Sequence, residues 1–85
     1  MPKLPRVSSA EAIRALERLG FIQVRQRGSH AILKKQLPIE DESNPQGAIE
    51  VGCVVPVQRK TLAVGTLKSI LNQAGISVED FLRNL

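Results

Sequence analysis

Gly20–Lys35, GFIQVRQRGSHAILKK, is the stretch whose reading decides the fold. Ile22 and Val24 alternate with Gln23, Arg25 and Arg27, the two-residue period of a half-buried strand. Arg27-Gly28-Ser29 is a turn signal, after which His30 to Lys35 returns as the second strand of a hairpin. The burial parity of this second strand stays open. His30, Ile32 and Lys34 share one side and Ala31, Leu33 and Lys35 the other, so apolar residues fall on both.

On the N-terminal side, Ser8 and Glu11 have the spacing of a capping box, predicting a helix from about Ser9 to Leu19. Ala12, Leu16 and Leu19, with Ile13 beside them, form its apolar face, while Arg14, Glu17 and Arg18 take the outer one. Gly20 is placed to stop this helix in a left-handed conformation. On the C-terminal side, residues 36–47 (QLPIEDESNPQG) have the composition of a connecting loop. Ile49, Val51, Cys53, Val55 and Val57 then alternate as a third strand, with Pro56 placing its end at a sheet edge or exit. Leu67, Ile70, Leu71 and Ala74 give a second helical stripe, with Thr66 expected as its cap and Gly75 as its stop. Ser77, with Asp80 three residues on, caps a short last helix whose stripe is Val78, Phe81, Leu82 and Leu85. The predicted class is α+β, with one domain over residues 1–85. Its order is helix, three strands, helix and a short terminal helix, the helices covering one face of an antiparallel sheet.

Composition limits the chemistry. With no Trp or Tyr and two Phe, the core must be aliphatic. No apolar run approaches the roughly 20 residues of a membrane span. The first residues carry no apolar stretch of the secretory kind, so a cytoplasmic protein is expected. Cys53 is alone, which rules out an intrachain disulfide, and its place in an apolar strand pattern reads as a buried, inert thiol. Twelve Lys and Arg face eight Asp and Glu, for a net charge of +4. Three of the acids stand together at Glu40, Asp41 and Glu42, which leaves the remainder more basic still. Such a surplus suits a polyanionic partner and equally suits a merely soluble basic surface. The acidic trio reads as a solvated loop in preference to a metal site.

His30 is the only histidine. Imidazole titrates around neutrality without a large shift, so it suits the proton transfers of RNA phosphodiester cleavage. Arg25, Arg27, Lys34 and Lys35 bracket it on the same hairpin, and such cations neutralise charge on a phosphorane. Gly28 and Ser29 add unobstructed backbone N–H groups, and Ser29 a hydroxyl. An isolated histidine is also often a plain surface or packing residue, and residue type and spacing leave the two readings evenly matched. Ser8, Ser9 and Ser77 read as helix-capping residues, and no acid is indicated for a Ser-His-Asp arrangement.

The string GFIQVRQRGSHAILKK resembles the HicA (YcfA-like) toxin family, whose signature is G-F followed by R-Q-x-G-S-H. VVPVQ at Val54–Gln58 and LAVGTLKSILNQAGIS at Leu62–Ser77 continue the likeness in order, so it extends from Ser8 to Leu82. The resemblance implies a fold like a minimal double-stranded-RNA-binding domain, αβββα. It implies an mRNA interferase: a metal-independent endoribonuclease without cofactor, paired with a HicB-type antitoxin that binds it and masks its histidine. That histidine maps onto His30 of Gly28-Ser29-His30. Two departures stand out: Gln58 occupies the place where many relatives carry a second histidine, and the acidic loop at 36–47 is longer than usual. A non-catalytic RNA-binding module and a protein-interaction domain that meets an acidic antitoxin are the competing expectations. RNA cleavage by purified protein separates them.

Overall fold

The computed structural model describes residues 3–38 and 48–85. Its elements run α1 (Ser9–Arg18), β1 (Ile22–Arg27), β2 (His30–Pro38), β3 (Ala48–Pro56), α2 (Val64–Ala74) and α3 (Val78–Arg83). The three strands form one antiparallel sheet in the order β1-β2-β3, so β2 is central. The helices cover one face, as the α+β, αβββα expectation requires, and the main helix–sheet contacts of α1 and α2 fall on β3.

Helix ends follow local chemistry. Ser8 Oγ accepts the Glu11 N–H at 3.1 Å and a Glu11 carboxylate oxygen accepts the Ser8 N–H at 3.1 Å, completing the capping box. Beyond the Leu19 C-cap, Gly20 has φ +102 and turns the chain into the sheet. Gly75 ends α2 at φ +68, and Ser77 Oγ accepts from Asp80 N at 3.2 Å to start α3. Thr66 does not cap α2. The N-cap is Ala63, without a side-chain hydrogen bond, and Thr66 lies inside the first turn.

The parity of β2 is settled by what lies behind it. Ala31 and Leu33 are buried against the helices, paired across the ladder with Val55 and Cys53. His30, Ile32 and Lys34 face outward, opposite Pro56, Val54 and Gly52. Both phenylalanines enter the core: Phe21, just before β1, and Phe81 from α3, packed with Leu16, Leu67 and Ile70. Burying a side chain such as Phe81 contributes on the order of 2–3 kcal/mol. Leu85, expected on the α3 stripe, lies past the helix end and is 42% exposed.

Two expectations for the sheet are corrected. Residues 36–38 continue β2 instead of beginning the loop, because Gln36, Leu37 and Pro38 pair with Glu50, Ile49 and Ala48. The rest of the expected loop, with Glu40, Asp41 and Glu42, lies outside the described residues. Strand β1 is exposed along its whole length instead of half-buried, with Ile22 at 67% and Val24 at 53%. The cause is an edge position away from the main helix contacts, combined with a register shift between Gln23 and Arg25.

Candidate functional site

That register shift decides which residues can work together. Ile22 pairs with Lys34 and Gln23 with Leu33, but the next partner of β2 is Arg25, opposite Ile32. Val24 is the extra residue of a β-bulge, and everything after it changes face. Uninterrupted pairing would have turned Arg25 and Arg27 toward the helices. With the bulge, Arg25 stands opposite Ile32 and Arg27 opposite His30, all on the open face. Directly opposed residues have Cβ atoms roughly 5 Å apart, within reach of one phosphodiester.

The turn between them is two residues long, Gly28-Ser29. Gly28 has φ +56, the positive φ at the first central position that suits a hairpin matched to sheet twist. A Cβ there would meet nothing within 4 Å, so backbone conformation, not space, calls for glycine. Gln26 Nε2 donates to Gly28 O at 3.2 Å, and Val57 N–H donates to Ser29 O at 2.8 Å. The turn is therefore tied to β1 on one side and to the exit of β3 on the other. His30 follows at the head of the central strand, exposed, between Arg27 on β1 and Pro56 on β3. Its backbone is fixed from both sides while its ring meets solvent.

The two lysines part company with this group. Lys34 shares the open face but lies four residues along β2, about 13 Å away at strand rise. Its Nζ is 3.0 Å from a Glu50 carboxylate oxygen, so much of its charge is already matched. Lys35 points the other way. Its Nζ donates to Leu19 O at 2.6 Å, at the end of α1, and lies 5.9 Å from the centre of the Phe21 ring. It closes a helix C-terminus and covers an aromatic face. The geometry thus brings together His30, Arg25, Arg27, Gly28 and Ser29, leaves Lys34 at a distance and takes Lys35 out of the group.

Beyond Pro56, a segment that residue types alone did not single out completes the surroundings. Gln58 is exposed and adopts φ +64, the one non-glycine residue with positive φ among the described residues. Ser9, read from the sequence as a capping residue, instead sends its hydroxyl across to this turn. It donates to Pro56 O at 2.5 Å and accepts from Arg59 N at 3.1 Å. A signal existed in the sequence: of two adjacent serines only one can complete the box with Glu11, which leaves the other hydroxyl to find a partner. Cys53 is buried, and burial pushes its thiol up to about 11, as an inert core residue requires. No helix among the described residues is long and apolar enough to cross a membrane.

Residues 9–76 match the family model described as HicA toxin of bacterial toxin-antitoxin, a span that contains every group named at this site. No curated protein matches the chain.

Proposed function

Since the chain belongs to the HicA toxin family, we propose that it is the ribonuclease toxin of a toxin–antitoxin pair, cutting mRNA at the His30 end of its open sheet face. The observation that carries this reading is the shared face: an exposed imidazole with Arg27 directly across the ladder and Arg25 two pairs further along, the next residue of β1 on that face. Cleavage in RNA forms a bond from the 2′-oxygen to phosphorus and breaks the bond from phosphorus to the 5′-oxygen. One proton leaves the 2′-hydroxyl and one reaches the departing 5′-oxygen. His30 carries one of these transfers. With Lys34 held by Glu50 and Lys35 on the far face, water at this exposed position carries the other. Arg25 and Arg27 hold the phosphate and offset the charge that grows on its oxygens, and Gly28 and Ser29 supply N–H groups at the same turn.

Nothing in this scheme uses a metal or an organic cofactor. An antitoxin of the HicB type neutralises the toxin by covering the same face. There Ile22, at 67% exposure, and Val54, at 40%, give it apolar surface to bury beside the arginines. Substitution His30→Ala is the test. The variant is expected to bind RNA in a gel shift, to leave it uncut and to permit growth when expressed without antitoxin. Cleavage at the wild-type rate by that variant refutes the assignment. A wild-type protein that shifts RNA without cutting it favours a binding module instead.

A further inference from the structure

We infer that Ser9 is a positioning residue for the site, holding the turn after β3 against the His30 end of the sheet; this rests on the ribonuclease reading above. Ser9 is the first residue of α1 and only 4% exposed. Three hydrogen bonds run from it to one short segment. Its hydroxyl donates to Pro56 O at 2.5 Å and accepts from Arg59 N at 3.1 Å, and its backbone N–H donates to Arg59 O at 3.0 Å. The last of these satisfies one of the orphan donors at the start of a helix. The first two bracket Val57 and Gln58, so a single side chain closes the ends of the turn.

What lies inside the bracket gives the contact its purpose. Gln58 is held at φ +64, a conformation that a residue with a Cβ adopts only when its surroundings enforce it. Val57 donates its N–H to Ser29 O at 2.8 Å, and Pro56 is the ladder partner of His30. The Ser9 hydroxyl is therefore connected through Pro56 to His30, and through Val57 to the turn that presents Gly28 and Ser29. Without the hydroxyl, Pro56 O and Arg59 N lose their shared partner and Gln58 is free to relax to negative φ. Val57 and the Gly28-Ser29 turn then shift relative to the arginines. Displacements of this kind, remote from the reacting atoms, lower turnover by roughly tenfold to a hundredfold.

The experiment compares the full chain with Ser9→Ala, with the near-isosteric Ser9→Cys and with Ser9→Thr, which keeps the hydroxyl. Amide exchange and the His30 ring resonances are recorded without RNA, and kcat and KM are measured on a fluorogenic RNA. Ser9→Ala and Ser9→Cys are expected to melt cooperatively, to exchange the Val57 and Arg59 amides faster and to move the His30 resonances. Their kcat is expected to fall about tenfold to a hundredfold, with KM changed much less. Ser9→Thr is expected to restore all four readouts. Folded Ala and Cys variants with unchanged kcat and unchanged His30 resonances overturn the inference, as does loss of folding in both, which makes the residue a general support of the fold. The resonances and amides need no RNA, so a wild-type chain that cuts nothing refutes the ribonuclease reading while the Ser9 role is decided by them alone.

Discussion

The arrangement of charges on the open face predicts how RNA binding responds to salt. Arg25 and Arg27 stand opposite Ile32 and His30, with no acid across the ladder, whereas Lys34 has a Glu50 carboxylate at 3.0 Å. Each cation that neutralises a phosphate on a single strand contributes about 0.7 to the slope of log affinity against log salt. Removing both arginines should therefore flatten the slope by about 1.4. Between 50 and 200 mM salt that amounts to roughly a sevenfold smaller loss of affinity. Lys34→Ala should change the slope by well under half of one contact, because its partner acid already offsets it, and Glu50→Gln should steepen it by releasing that lysine. The assay is fluorescence anisotropy with a labelled single-stranded RNA on a His30→Ala background, so that substrate survives the titration. Should Lys34→Ala flatten the slope as much as Arg27→Ala does, the division of the open face into a free and a paired end is wrong.

Three other outcomes follow from the same geometry. Lys35→Met is expected to lower stability by about 1–2 kcal/mol in urea denaturation, since the Leu19 carbonyl loses a charge-assisted donor, and to leave RNA cleavage by the folded protein unchanged. In Gly28→Ala the added Cβ has open space, so the cost is only that of a positive φ, about 1 kcal/mol, read as a lower melting temperature. Cys53 is held neutral by burial. Its contribution to stability is complete below 9.0, the ordinary thiol value, and is lost as pH rises through about 11. A thiol reagent at pH 8 should accordingly label the protein only as fast as it unfolds; rapid labelling of the native chain refutes the burial.

Features set by neighbours in the chain were legible, and features set by distant partners were not. The Ser8–Glu11 box lies within one helical turn, and the Gly20 and Gly75 stops are likewise local, so sequence spacing was enough for each. The partners of Ser9 are 47 and 50 residues away, and no local pattern announces them. Strand β1 shows a related failure. Its alternation predicts one buried and one exposed face, but the bulge at Val24 carries no glycine or proline to mark it, and the helices behind the sheet favour β3. Alternation alone puts Lys34 on the side of His30 and Lys35 on the other, without saying which side is buried. Only a resolved β2 parity, one lysine to each face, separates a cation near Glu50 from one at the end of α1. For the histidine itself the motif gave the position, while its exposure and its arginine neighbours needed the register of all three strands.

The bulge also bears on how this hairpin tolerates change in length. The pairs on either side of Val24 are Gln23 with Leu33 and Arg25 with Ile32, so excising Val24 leaves both in place and yields an uninterrupted strand. Excising Gln26 instead would pull Arg25 into the position opposite Ala31 and turn its guanidinium to the other face of the sheet, away from His30. Tolerance to single-residue deletions in β1 is therefore set by frame, and the strand has one place where its length can vary without reversing the sense of the surface.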